Sequence, residues 1–174
     1  MRHSKAYIQT HDLDWFGRIN NAFLMHVASN GSNLPERVND IERLHENLIS
    51  VMQMPQIYEV KDLVINMEVI RHLFENQQRI LQEYGRTEFA NNDYRTFRGN
   101  YLETFIPIAL RGIITFDCTQ FGENNNPEFH MVCRPRNLKR LAQFPESIET
   151  FETGNINLLL SPEAQQLRLL EIIY

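Results

Sequence analysis

The stretch that decides the fold is HDLDWFGRINNAFLMHVASN, residues 11–30. Trp15-Phe16 and Phe23-Leu24-Met25-His26-Val27 have the aromatic and β-branched composition of strands. Asn20-Asn21 tolerates positive φ, so Asp12 to Ser29 is predicted to be a β-hairpin closed by a two-residue turn. Counting outward from that turn sets Trp15 opposite His26 and Leu13 opposite Ala28, because side chains alternate faces with period two. Asp12 and Asp14 then leave from the other face, beside Phe16. His11 stands at the entry of the first strand, opposite Asn30. The polar run Ser29-Asn30-Gly31-Ser32-Asn33 breaks the second strand.

Outward from the hairpin, the spacing of Val38, Ile41, Leu44, Leu48 and Met52 predicts a helix from about Pro35 to Gln53, with Pro near its first turn. Ile57 to Ile65 reads as a strand. Asn66 has the chemistry of a helix cap. Met67, Ile70, Phe74, Leu81 and Tyr84 share one helical face, and Gly85 suits the left-handed position after the last turn. Tyr94, Phe97, Tyr101, Phe105 and Ile108 mark a third helix from about Asp93 to Arg111, which Pro107 should kink or restart. Ile113 to Phe121 and Phe129 to Arg134 form a second predicted hairpin, and Phe151 to Leu160 a further strand. Ser161-Pro162-Glu163 starts a C-terminal helix whose apolar side is Leu167, Leu170, Ile173 and Tyr174. Hairpins pair antiparallel and helices must cover a sheet face. The expected fold is therefore α+β: an antiparallel sheet built from two hairpins plus one or two further strands, covered by about four helices. The length of 174 residues favours a single domain spanning 1–174.

A chain of this size buries roughly two-thirds of its unfolded surface, so it needs neither disulfides nor a structural metal to fold. Two cysteines, Cys118 and Cys133, are too few for a disulfide framework and read as free thiols. Met1 to Thr10 carries no apolar stretch of signal-peptide length, and no run approaches a membrane span. These readings predict a cytoplasmic protein with no membrane association. The net charge of −5 disfavours broad nucleic-acid binding, which requires a strong positive field.

Catalytic motifs are missing. The glycines form neither a dinucleotide fingerprint nor a phosphate loop, and no nucleophile elbow occurs. His45-Glu46 begins a zinc-protease pattern, but Ile49 stands where the second His belongs. No metal and no cofactor is expected. Two constellations remain. His11, Asp12, Asp14 and His26 could serve in catalysis, since imidazole beside carboxylate can move protons or bind a metal. Period-two counting opposes it by setting His26 on the face away from the aspartates, where it would pack on Trp15. Arg134, Arg136, Lys139 and Arg140 place four cations together with no acid between them, which suits phosphate or a nucleic-acid backbone. The same parity argument opposes His130 beside Cys133 as a catalytic pair.

Three stretches, HDLDWF at residues 11–16, HVASNG at 26–31 and RGIITFD at 111–117, resemble segments of an uncharacterised group of hypothetical proteins from gut Bacteroides-type bacteria. The resemblance implies a bacterial cytosolic setting and carries no activity or site with it. The leading expectation is a non-enzymatic interaction module that binds an unknown protein partner or itself. The rivals are a small hydrolase or metal-dependent enzyme using the histidine–aspartate cluster, and an anion or nucleic-acid binder using residues 134–140.

Overall fold

A computed structural model describes residues 6–7, 11, 13–19, 23–29, 41–83, 93–118, 128–139, 148, 150–151 and 167–168. Strands β1 (Asp14–Ile19) and β2 (Phe23–Ala28) form the first hairpin. Helix α1 (Ile41–Gln53) follows, then a single 3-10 turn at Val60–Asp62 and the short strand β3 (Leu63–Ile65). Helices α2 (Met67–Glu83) and α3 (Tyr94–Ala109) come next. Strands β4 (Ile114–Cys118) and β5 (Glu128–Pro135) form the second hairpin. Two-residue strands, β6 (Thr150–Phe151) and β7 (Leu167–Arg168), complete the described elements.

The sheet runs in the order β3-β5-β4-β2-β1-β6, and β7 pairs with β5. It is mostly antiparallel, as expected from the two hairpins, but two of its pairings are parallel. The two hairpins lie side by side through a parallel pairing of β2 with β4, and β6 lies parallel to β1. The central strands are buried on both sides. Trp15, Met25, Val27, Ile114 and Phe116 occupy one face, while Phe16, Leu24, His26 and Ala28 occupy the other. Double burial explains why Phe23–Ala28 reads as an unbroken apolar run rather than an alternating one.

Three long helices are seen among the described residues. Asp93 caps α3 by accepting from the Thr96 amide at 2.9 Å, and Asn66 caps α2 by accepting from the Val69 amide at 3.3 Å. Helix α3 continues unbroken through Pro107, which falls in its last turn. The face of α3 predicted from its spacing is the one that packs: Phe105 joins Ala28, Leu63, Ile70 and Cys133 in one apolar cluster, and Ile108 joins Phe16, Leu24 and Val51 in another.

Two expected elements differ, and a third lies mostly outside the described residues. The strand placed at Ile57–Ile65 is confined to Leu63–Ile65, because the amides of Ile57 and Tyr58 both donate to the Leu110 carbonyl and turn the chain away from the sheet. Leu167 and Arg168 do not belong to a helix; they pair with Phe129 and Glu128, where β5 outruns its neighbours and offers unpaired backbone. The strand at Phe151–Leu160 is seen only at Thr150–Phe151, the residues beyond lying outside those described.

Cys133 is a free, buried thiol. Burial pushes its pKa up to about 12, so roughly one molecule in ten thousand carries the thiolate at pH 8. Cys133 should therefore resist a thiol-specific disulfide reagent in the native protein and react once the chain is unfolded. Fast labelling of Cys133 in the native state would contradict this. The side chain of Cys118 lies outside the described residues.

Candidate functional site

The site grows out of the register of the first hairpin. Ile19 pairs with Phe23, so residues 20–22 separate the strands, and Phe16 faces His26 while Trp15 faces Val27. The predicted Trp15–His26 pair is therefore wrong by one residue, although both side chains are fully buried. Leu13 aligns with Ser29 rather than Ala28: its carbonyl accepts from the Ser29 amide at 3.1 Å and its amide donates to Ser29 Oγ at 3.0 Å. One extra loop residue reverses the parity of a whole strand. Asp14, expected on the far face, comes to the same face as His26.

The two side chains meet. His26 Nε2 lies 2.7 Å from Asp14 Oδ1, with the imidazole at 0% exposure and the carboxylate at 24%. A carboxylate only accepts, so Nε2 carries the proton of this bond and Nδ1 is the ring's other polar atom. The ring sits between Phe16 and Phe105, with centroids at 5.1 and 5.8 Å. Its Nδ1 is buried and has no hydrogen-bond partner among the described residues.

A second polar group occupies the same face. Asp14 aligns with Ala28, Ala28 with Asp117, and Asp117 with His130. These four positions form a row straight across β1, β2, β4 and β5, with adjacent strands about 4.8 Å apart. Tyr101 descends onto the row from α3. Its Oη donates to Asp117 Oδ2 at 2.7 Å and lies 3.0 Å from His130 Nε2. The phenol has one proton, so His130 Nε2–H donates to Oη, giving a relay from His130 through Tyr101 to Asp117. Desolvation pushes the His130 pKa down to about 4, so this imidazole is neutral at pH 7. Tyr101 and Phe105 contact each other along α3 with tilted rings, centroids 5.2 Å apart, and link the relay to the aromatic wall of His26.

The irregularity between Thr115 and Phe116 aligns Thr115 with Cys133 and Asp117 with His130. His130 and Cys133 therefore share a face, against the parity argument from sequence, because a bulge adds a residue to one strand. The thiol, held protonated by burial, is still no nucleophile.

The remaining expected residues fall elsewhere. His11 is exposed; its Nδ1 lies 2.9 Å from the Tyr7 carbonyl and its ring stacks on Tyr7 at 3.8 Å. It does not join Asp14 and His26. Asp12 lies outside the described residues. Arg134, Arg136 and Lys139 gather where β5 ends, and Arg140 lies outside the described residues. No group of three or more metal-ligating side chains with suitable geometry occurs among the described residues. No described helix is long and apolar enough to cross a membrane.

Tyr101, Asp117 and His130 were missed as a functional group. The signal lay in the polar residues inside apolar strands, Asp117 in ITFDC and His130 in EFHMVC. A buried carboxylate and imidazole must find partners, and here both find Tyr101 of the covering helix. No family model, curated protein or solved structure matches the chain.

Proposed function

We propose that the protein is a small acid–base enzyme of hydrolytic type, with His26 as general base and Asp14 as the group that orients it. The observation that carries this reading is the 2.7 Å bond from His26 Nε2 to Asp14 combined with an unpartnered, buried Nδ1. An unsatisfied buried acceptor costs about 1–3 kcal/mol. A water or a substrate hydroxyl that donates to Nδ1 removes that cost. Nδ1 would take the proton as that oxygen attacks, Asp14 would stabilise the imidazolium, and the same proton would pass to the leaving group. Tyr101, Asp117 and His130 hold the neighbouring part of the wall in one hydrogen-bonded arrangement.

The test uses p-nitrophenyl acetate and bis(p-nitrophenyl) phosphate as probes. The wild-type chain should hydrolyse at least one of them above the buffer rate. His26→Gln and Asp14→Asn should each lower that rate by about 10²–10⁴-fold while the native circular dichroism spectrum is retained. Hydrolysis that survives both substitutions would end the proposal.

One observation favours a second reading, an interaction module that self-associates. Ile49 and Met52 on α1, followed by Ile57 and Val60, are 59%, 41%, 43% and 55% exposed. Large apolar side chains concentrated in one exposed segment suit a protein interface. Under this reading sedimentation should show a concentration-dependent dimer that Ile49→Glu returns to monomer.

A further inference from the structure

The chain leaving β5 is held in one conformation by the side chain of Tyr58. Tyr58 Oη donates to the Asn137 carbonyl at 2.6 Å and accepts from the Lys139 amide at 3.0 Å. The Arg136 amide donates to the Asp62 carbonyl at 2.8 Å, which ties the same segment to the 3-10 turn. Arg136 and Lys139 are carried by this segment, Arg134 sits just before it at the end of β5, and the Lys139 ammonium lies 5.8 Å from the centroid of the Tyr58 ring.

The acids nearby are already engaged with other groups. Glu59 pairs with Lys61 at 2.8 Å, and Asp62 Oδ2 accepts from the Glu59 amide at 3.0 Å. None of Arg134, Arg136 and Lys139 makes an ion pair among the described residues. Arg134 is half-buried, and its Nη1 is directed to the carbonyls of Pro135 and Arg136 at 3.0 and 3.5 Å. Its remaining N–H groups have no protein acceptor among the described residues. Burial and the neighbouring charge of Arg136 both work against its protonated form. A half-buried guanidinium beside a second cation, with no carboxylate paired to either among the described residues, is the local environment that an anion relieves.

We infer that Arg134, at the end of β5, together with Arg136 and Lys139 on the segment clamped by Tyr58, forms a binding site for a small phosphate-class anion. Arg134 supplies planar donors that match two phosphate oxygens, and Lys139 supplies a point charge. The overall charge of −5 opposes approach of a polyanion, which favours a single phosphate group over a nucleic-acid backbone. The inference is independent of the proposed chemistry at His26.

The probe is inorganic phosphate, titrated against the full chain by heteronuclear NMR and thermal melting, with sodium chloride at matched ionic strength as control. Phosphate should raise the melting temperature beyond chloride and shift the amide signals of residues 134–139. Arg134→Gln should weaken apparent phosphate affinity at least about tenfold, the worth of one lost charge-assisted hydrogen bond. It should also leave the unliganded melting temperature unchanged or raised, because it removes a repulsion. Tyr58→Phe should weaken phosphate binding with no change of net charge, and Lys61→Gln should not. Equal responses to phosphate and chloride, or an Arg134→Gln variant that binds phosphate like wild type, would overturn the site. An oligonucleotide that binds far more tightly than phosphate at physiological salt would overturn the small-anion assignment in favour of nucleic acid.

Discussion

Arg111→Ala should destabilise the protein by about 4 kcal/mol, more than the loss of a typical surface charge. Arg111 is 8% exposed and directs its whole guanidinium into the protein. Nε donates to the Met54 carbonyl at 3.0 Å, Nη2 to the Met52 carbonyl at 2.7 Å, and Nη1 to the Pro107 carbonyl at 2.6 Å. Met52 lies in the last turn of α1, Met54 just beyond it, and Pro107 in the last turn of α3. The final carbonyls of a helix have no partner within it and carry the negative end of its dipole. One cation thus closes two helix ends and fixes the angle between them. Alanine would leave three carbonyls without their donor and a void beside them. For a chain of this length the melting temperature should fall by roughly 10 °C. Arg111→Lys should recover less than half of the loss, since an ammonium cannot reproduce three divergent planar donors. A loss below about 1 kcal/mol would show that solvent serves these carbonyls equally well.

The second large effect is on acid stability. His130 has its pKa pushed down to about 4 by burial, against an ordinary value of 6.5. The unfolded chain therefore binds a proton at this residue before the folded chain does. The stabilising contribution is complete above pH 6.5, declines as pH falls below that value, and is gone below about pH 4. Its full size is about 3 kcal/mol. His130→Gln keeps an N–H that can donate to Tyr101 but does not titrate. Melting measured from pH 7 to pH 4 should show the wild type losing about 3 kcal/mol more than the variant over that range. Parallel pH curves for the two proteins would mean that His130 takes its proton in the folded state, stabilised by Asp117.

How much of this was visible beforehand differs by element. The two hairpins and the three long helices follow from residue spacing and composition, and the buried face of α3 was read correctly from Tyr94 through Ile108. The sheet's centre was not legible, since nothing in Phe23–Ala28 or Ile114–Cys118 tells which strands lie beside each other or in which direction. Double burial erases the alternation that would mark a free face. The site was hidden by a single residue. Asn20-Asn21 suits a two-residue turn, and nothing in Ala22 says whether it belongs to the loop or the strand, yet that choice decides whether Asp14 meets His26. The Tyr101 relay depends on an irregularity opposite Thr115 and on a contact between helix and sheet, both products of tertiary packing. The cations of residues 134–139 were plain in the sequence, while the clamp that fixes them comes from Tyr58, far away in the chain.

The parallel contact between β2 and β4 has a kinetic consequence. Residues 29–113, with all three long helices, lie between the two strands that form the middle of the sheet. Each hairpin can close locally, but their union must wait for a long loop to be ordered, and such non-local pairing slows folding. During synthesis the run Phe23–Ala28 emerges well before its partner Ile114–Cys118, and one edge of it stays open until the second hairpin has been made. A nascent chain paused in that interval presents an apolar strand edge to its neighbours, the condition under which intermolecular pairing competes with folding.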